Sequence, residues 1–142
     1  MGYYAHLMQG DWFAITQPTA VLNRLAETEG KHGHSWCQTV EEYRFGYETD
    51  LLALTQMLRD YGFTADCDSL RGFITVKDFG DNKLGGSWDA FWNAFALGTT
   101  DEVCWLMWGE DMEVWGEVIT SGVHRTADVT VNYTVQDFGF TE

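Results

Sequence analysis

Val103-Cys104-Trp105-Leu106-Met107-Trp108 and Glu113-Val114-Trp115-Gly116-Glu117-Val118-Ile119 read as two strands joined by Gly109-Glu110-Asp111-Met112, and the reading of this hairpin decides the fold. Side chains of a strand alternate between faces, so Val103, Trp105 and Met107 share one face while Cys104, Leu106 and Trp108 share the other. Both faces are apolar. Such a strand is covered on both sides by protein, or it leaves an aromatic surface for a partner.

On the N-terminal side of the hairpin, Ser87 is a good N-cap for a helix carrying Trp88, Phe91, Trp92, Phe95 and Ala96 on one wide aromatic face, closed by Gly98. Gly80-Asp81-Asn82 and Gly85-Gly86 form the connection before it. Earlier still, Thr49 or Asp50 can cap a helix whose Leu51, Leu54, Leu58 and Tyr61 form a stripe ending at Gly62. After it, Phe63, Ala65 and Cys67 alternate with polar residues, and Gly72 to Lys77 reads as the pairing strand. Pro18 fits the first turn of a helix that carries Val21, Leu22, Leu25 and Ala26 and stops at Gly30. Tyr3 to Ile15 reads as strand, bend and strand around Gln9-Gly10-Asp11. Lys31 to Tyr47 reads as a loop followed by a strand from Trp36 to Phe45.

On the C-terminal side, Ser121-Gly122 turns the chain into an alternating strand. Val123, Ala127, Val129, Val131, Tyr133 and Val135 are expected to be buried there, with His124, Thr126, Asp128 and Thr130 solvated. The fold class is therefore α+β, a single domain over residues 1–142. An antiparallel twisted sheet has two or three helices packed on one face, and the order from Thr49 to Ile119 suggests an αββ duplication.

A chain of 142 residues is the usual size of one domain. Its 45% hydrophobic and 15% aromatic content calls for a packed core despite the charge. With 22 acidic against 8 basic residues the formal net charge is -14, which repels nucleic acids and anionic membranes and favours basic partners. Cys37, Cys67 and Cys104 are too few and too scattered for a disulfide framework, so a reducing compartment fits. The opening residues show no secretory signal and no run approaches a membrane span, which makes a cytoplasmic protein the expectation.

The opening Met1-Gly2-Tyr3-Tyr4, a first helix after Pro18, a Leu-rich helix ending Tyr61-Gly62-Phe63, and the aromatic strand pair Cys104 to Val118 around Gly109-Glu110-Asp111 form a recognisable layout. It resembles that of small acidic, largely uncharacterised proteins encoded by phages and bacteria. The resemblance implies a phage-related accessory protein, and it transfers no active-site residue.

His32-x-His34-x-x-Cys37 has a metal-like spacing: two imidazoles and a thiolate can converge on Zn²⁺ if His6, Cys67 or a carboxylate completes the site. The simpler reading is loop histidines beside an apolar Cys37. No cofactor is expected otherwise. Ser35, Ser69, Ser87 and Ser121 lack the context of a catalytic nucleophile, and Cys104 reads as core. Carboxylate pairs such as Asp66 with Asp68 are expected by chance in so acidic a chain, although their strand spacing is close to that of nucleic-acid phosphates.

Two uses of the hairpin follow. In the first, Trp108, Glu110, Asp111, Glu113, Trp115 and Glu117 make an acidic and aromatic surface that binds and inhibits or modulates a basic host protein. In the second, Trp88, Trp92, Trp105, Trp108 and Trp115 line a pocket that stacks and sequesters a planar small molecule. A zinc-dependent hydrolase built on His32, His34 and Cys37 is a third. The first is a non-enzymatic role, and an exposed apolar strand face makes a homodimer reasonable.

Overall fold

The computed structural model describes residues 4–29, 38–80, 82–83 and 88–130. The chain runs β1 (Tyr4–Gly10), β2 (Phe13–Ile15), α1 (Pro18–Thr28), α2 (Val40–Gly46), α3 (Asp50–Asp60), β3 (Phe63–Asp68), β4 (Phe73–Phe79), β5 (Asn82–Lys83), α4 (Trp88–Gly98), β6 (Val103–Gly109), β7 (Val114–Thr120) and β8 (Val123–Asp128). The class is α+β with antiparallel pairing throughout, as the alternation of strands and amphipathic helices implies.

There are two sheets where one was expected. One has the order β5-β1-β6-β7-β8 and the other β2-β4-β3. The division occurs at Gly10-Asp11-Trp12, and β6 enforces it. Asp11 donates its backbone N–H to the Cys104 carbonyl, its carboxylate accepts from Cys104 N–H, and its carbonyl accepts from Trp105 Nε1 at 2.7 Å. Gly10 lies flat against the Trp105 ring, where a Cβ would come within 2.7 Å of Cδ1. Held there, the chain leaves the first sheet and enters the second as β2.

The central hairpin forms in the register Val103↔Ile119 to Trp108↔Val114. The helix-then-hairpin order occurs twice, as α3-β3-β4 and α4-β6-β7, with β5 between and the two hairpins in different sheets.

One contiguous core takes side chains from all four helices and both sheets among the described residues. Val21, Leu22 and Leu25 face it from α1, Leu54, Met57 and Leu58 from α3, and Phe91, Trp92 and Phe95 from α4. Trp105 stands edge-on to Trp92 with ring centroids 5.0 Å apart, and Phe13 and Phe63 bring β2 and β3 against the same ring. Two independent helix ends follow their sequence signals. Thr49 caps α3 by accepting from Leu52 N–H, and Pro18 opens α1.

Trp36 to Phe45 does not form the expected strand: the described part is the short helix α2. Thr39 caps it by accepting from Glu42 N–H through a hydroxyl that also donates to the Glu42 carboxylate, so one N-cap side chain meets both the backbone and the side chain of the third helical residue. Arg44 then ties α2 to its neighbours, donating to Asp50 at the start of α3 and to Asn23 on α1. Burial would raise the Asp50 pKa, but hydrogen bonds from Thr19 and Arg44 and the Arg44 charge outweigh it and hold the carboxyl below its usual range.

The last strand also departs from its alternation. Ser121 and Gly122 both have positive φ, the geometry of a tight hairpin turn. That turn pairs Ile119 with His124 and Glu117 with Thr126. His124 therefore points to the core side while Val123 is 64% exposed. The inversion is tolerated because the inward polar groups satisfy one another, as described below. Val131, Tyr133 and Val135 lie outside the described residues.

Replacing Gly10 with Ala tests the sheet division. The methyl must displace a fully buried indole, so Gly10→Ala is expected to lose roughly 1–3 kcal/mol of stability in urea unfolding. A change within experimental error would show that Gly10 is not held against Trp105.

Candidate functional site

The hairpin has two faces and a tip, and each has a different chemistry. On the inner face, Trp105 and Met107 are fully buried and Trp115 is half-buried against the core. Glu117 lies on that face too, with its side chain 1% exposed. This corrects the expectation that it contributes to an acidic surface. Its carboxylate accepts from Thr126 Oγ1 at 2.9 Å and meets His124 Nε2 at 3.2 Å. His124, with a side chain 5% exposed, meets Asn93 Oδ1 of α4 through Nδ1 at 2.7 Å and stacks on Trp92. Both imidazole nitrogens thus lie within hydrogen-bond distance of a side-chain oxygen.

This network fastens α4 to β7 and β8 across the inner face. A buried carboxylate without partners is costly, and here two donors from the facing strand meet it. Thr126 bonds Glu117 rather than His124, so the set does not make a hydroxyl nucleophile with an adjacent imidazole base. Residue periodicity alone overlooks His124, Asn93 and Thr126. The signal that finds two of them is the two-residue turn at Ser121-Gly122, because counting outward from it puts Thr126 opposite Glu117 and His124 on the same face.

On the outer face, Leu106, Trp108, Val114 and Val118 are half-buried, and Trp108 stacks on His6 of β1 with ring centroids 4.5 Å apart. Trp108 and Trp115 therefore point to opposite sides of the sheet and do not share one aromatic surface. At the tip, Glu110, Asp111 and Glu113 are exposed around Met112, which is 75% exposed. Met112 has φ 69°, in the left-handed region that disfavours a side chain. Gly109 N–H to Glu113 O and Met112 N–H to Gly109 O, both at 2.9 Å, close the turn that holds it there.

The tryptophans expected to line a pocket serve mainly as core. Phe13 packs against both Trp92 and Trp105, Phe95 packs against Trp92, and Trp88 stacks on Phe63 at 5.8 Å. The indole N–H groups of Trp88 and Trp92 are buried and find no acceptor among the described residues. An open groove of about 570 Å³ is lined by Gln38, Thr39, Glu41, Glu42 and Phe45, and by no tryptophan.

His32, His34 and Cys37 lie outside the described residues. Among the described residues no group of three His, Cys, Asp or Glu is placed to hold a metal ion. The Asp66 and Asp68 pair is occupied within the fold. Lys77 lies 2.6 Å from Asp66, and its hydrogen bond and charge, with help from Arg59, hold the Asp66 carboxyl below its usual range. Asp68 accepts from Leu70 and Arg71 N–H in the turn that follows it. No helix among the described residues is long and apolar enough to cross a membrane. Comparison with protein-family models, curated proteins and solved structures finds no match.

Removing the Glu117 carboxylate should leave the buried His124 imidazole and the Thr126 hydroxyl without their shared partner. Glu117→Ala is expected to cost about 3 kcal/mol in urea unfolding, with Glu117→Gln in between. A double-mutant cycle with His124→Ala should give a coupling of about 1 kcal/mol or more, and additive losses would show that the two groups do not interact.

Proposed function

We propose that the chain is a non-enzymatic accessory protein, of phage or bacterial origin, that works in the host cytosol by binding a basic protein and inhibiting or modulating it. The observation that carries this reading is the tip of the central hairpin. Glu110, Asp111 and Glu113 surround an exposed Met112, and the turn is anchored on strands whose other residues reach the core. Carboxylates steer a basic partner and select against acidic ones, while a flexible thioether supplies apolar contact that adapts to the surface it meets. A residue kept in a left-handed conformation at a hydrogen-bonded tip is a feature associated with functional loops. The net charge of -14 acts in the same direction at longer range.

A second reading, a small planar ligand held among the tryptophans, draws support from the buried indole N–H groups of Trp88 and Trp92, since an acceptor on a ligand would satisfy them. Native mass spectrometry of the purified protein would register that ligand directly.

The test of the leading reading is affinity capture from bacterial host lysate, comparing the native chain with the triple variant Glu110→Lys, Asp111→Lys and Glu113→Lys. The three positions are exposed, so the fold should persist. One basic protein retained by the native chain at about 50 mM salt should be lost with the variant and reduced at about 500 mM, where exposed charges are screened. Equal retention by both chains would contradict a role for the tip.

A further inference from the structure

The outer face of the five-stranded sheet is apolar and lacks acids. Leu106 and Trp108 on β6, Val114 and Val118 on β7, Ala127 on β8 and Val129 just beyond it share this parity. None of them belongs to the core or to the residues packed against it. β1 and β6 contain no Asp or Glu, and the acids of β7 and β8, Glu117 and Asp128, lie on the opposite parity. Twenty-two acidic residues make such an absence over four strands uncommon for a surface that meets only water.

Arg125 stands on this face, opposite Val118. Among the described residues, Arg24, Arg44, Arg59, Arg71 and Lys77 each have a carboxylate within ion-pair distance, and Arg125 has none. An exposed guanidinium with no carboxylate partner among the described residues, beside an apolar sheet face, calls for an occupant that is flat, apolar and acidic at one end.

We propose that this occupant is the same face of a second copy of the chain. Arg125 lies toward the β7–β8 turn, and Glu110 and Glu113 flank the opposite end of β7, about 20 Å away at strand spacing. A two-fold axis crossing the strands exchanges those ends, so the Arg125 of each copy meets the acidic tip of the other while the apolar strands stack about 10 Å apart. Four strands give a contact of roughly 400 Å² per copy, small for a stable interface, so the dimer is weak and reversible. Each copy carries net charge -14, so mutual repulsion outside the face limits association at low salt and is relieved at high salt.

Purified full-length chain needs no other partner for the test. Sedimentation velocity from about 5 to about 500 µM should show monomer passing to dimer, with the transition moving to lower concentration as NaCl rises from about 50 to about 500 mM. Capture of a basic protein by the tip has the opposite salt dependence, so failure of one proposal is distinguishable from failure of the other. Val118→Lys should remain monomeric throughout, and the exposed substitution Arg125→Glu should weaken association at least fivefold even if Val118→Lys folds poorly. Pairing Arg125→Glu with Glu113→Arg should restore it. A native chain that stays monomeric at the highest concentration, an open series of larger oligomers, or Arg125→Glu associating as the native chain does would overturn the proposal.

Discussion

Trp105 is the side chain on which the arrangement depends. Its ring is fully buried, its N–H donates to the Asp11 carbonyl, and Gly10 has no Cβ to push it away. Those contacts fix where β1 ends and β2 begins, and hence where one antiparallel run becomes two sheets. They also give Trp92 of α4 and the phenylalanines of β2 and β3 a common surface to pack on. A slip of one residue in β6 would turn Trp105 outward and dissolve all of these contacts together, so the register of the hairpin is strongly specified.

The same specification divides the chemistry of the hairpin. Its inner face must be dry, so the one acid there is met by His124 and Thr126 from the adjacent strand. The outer face is apolar and free of acids, and charge is displaced to the tip, where Glu110, Asp111 and Glu113 surround Met112. Core packing and surface chemistry therefore share a cause: the alternation of one strand pair, read from opposite sides of the sheet.

Much of this was legible in the residues. The helices over Pro18–Thr28, Asp50–Asp60 and Trp88–Gly98 follow their apolar spacing, and the hairpins around Gly109 and between Asp68 and Phe73 follow their turn residues. α2 is not legible because Trp36, Val40, Tyr43 and Phe45 obscure a Thr39-to-Glu42 capping signal, which decides the local structure. The two-sheet division was hidden because it depends on a glycine meeting a tryptophan about 95 residues away, a distance over which local pattern carries no information. The surface drawn from Trp108, Trp115 and Glu117 failed as a single patch for a plainer reason. Trp108 is on one parity and Trp115 and Glu117 on the other, and the strand alternation already separated them. His124 shows the converse, since a polar residue on a core face becomes favourable once Glu117 and Asn93 are within reach.

The two sides of β6 and its turn have opposite fates, and two methionines five residues apart report on them with identical chemistry. Met107 is fully buried and Met112 is 75% exposed. Mild peroxide oxidation of the folded, dilute protein, followed by peptide mass mapping, measures both in one experiment. Met112 should be converted to its sulfoxide at least tenfold faster than Met107, with the two rates converging only in denaturant. Comparable rates in the folded state would mean that Met107 faces solvent, and the assigned register, with the faces built on it, would be wrong.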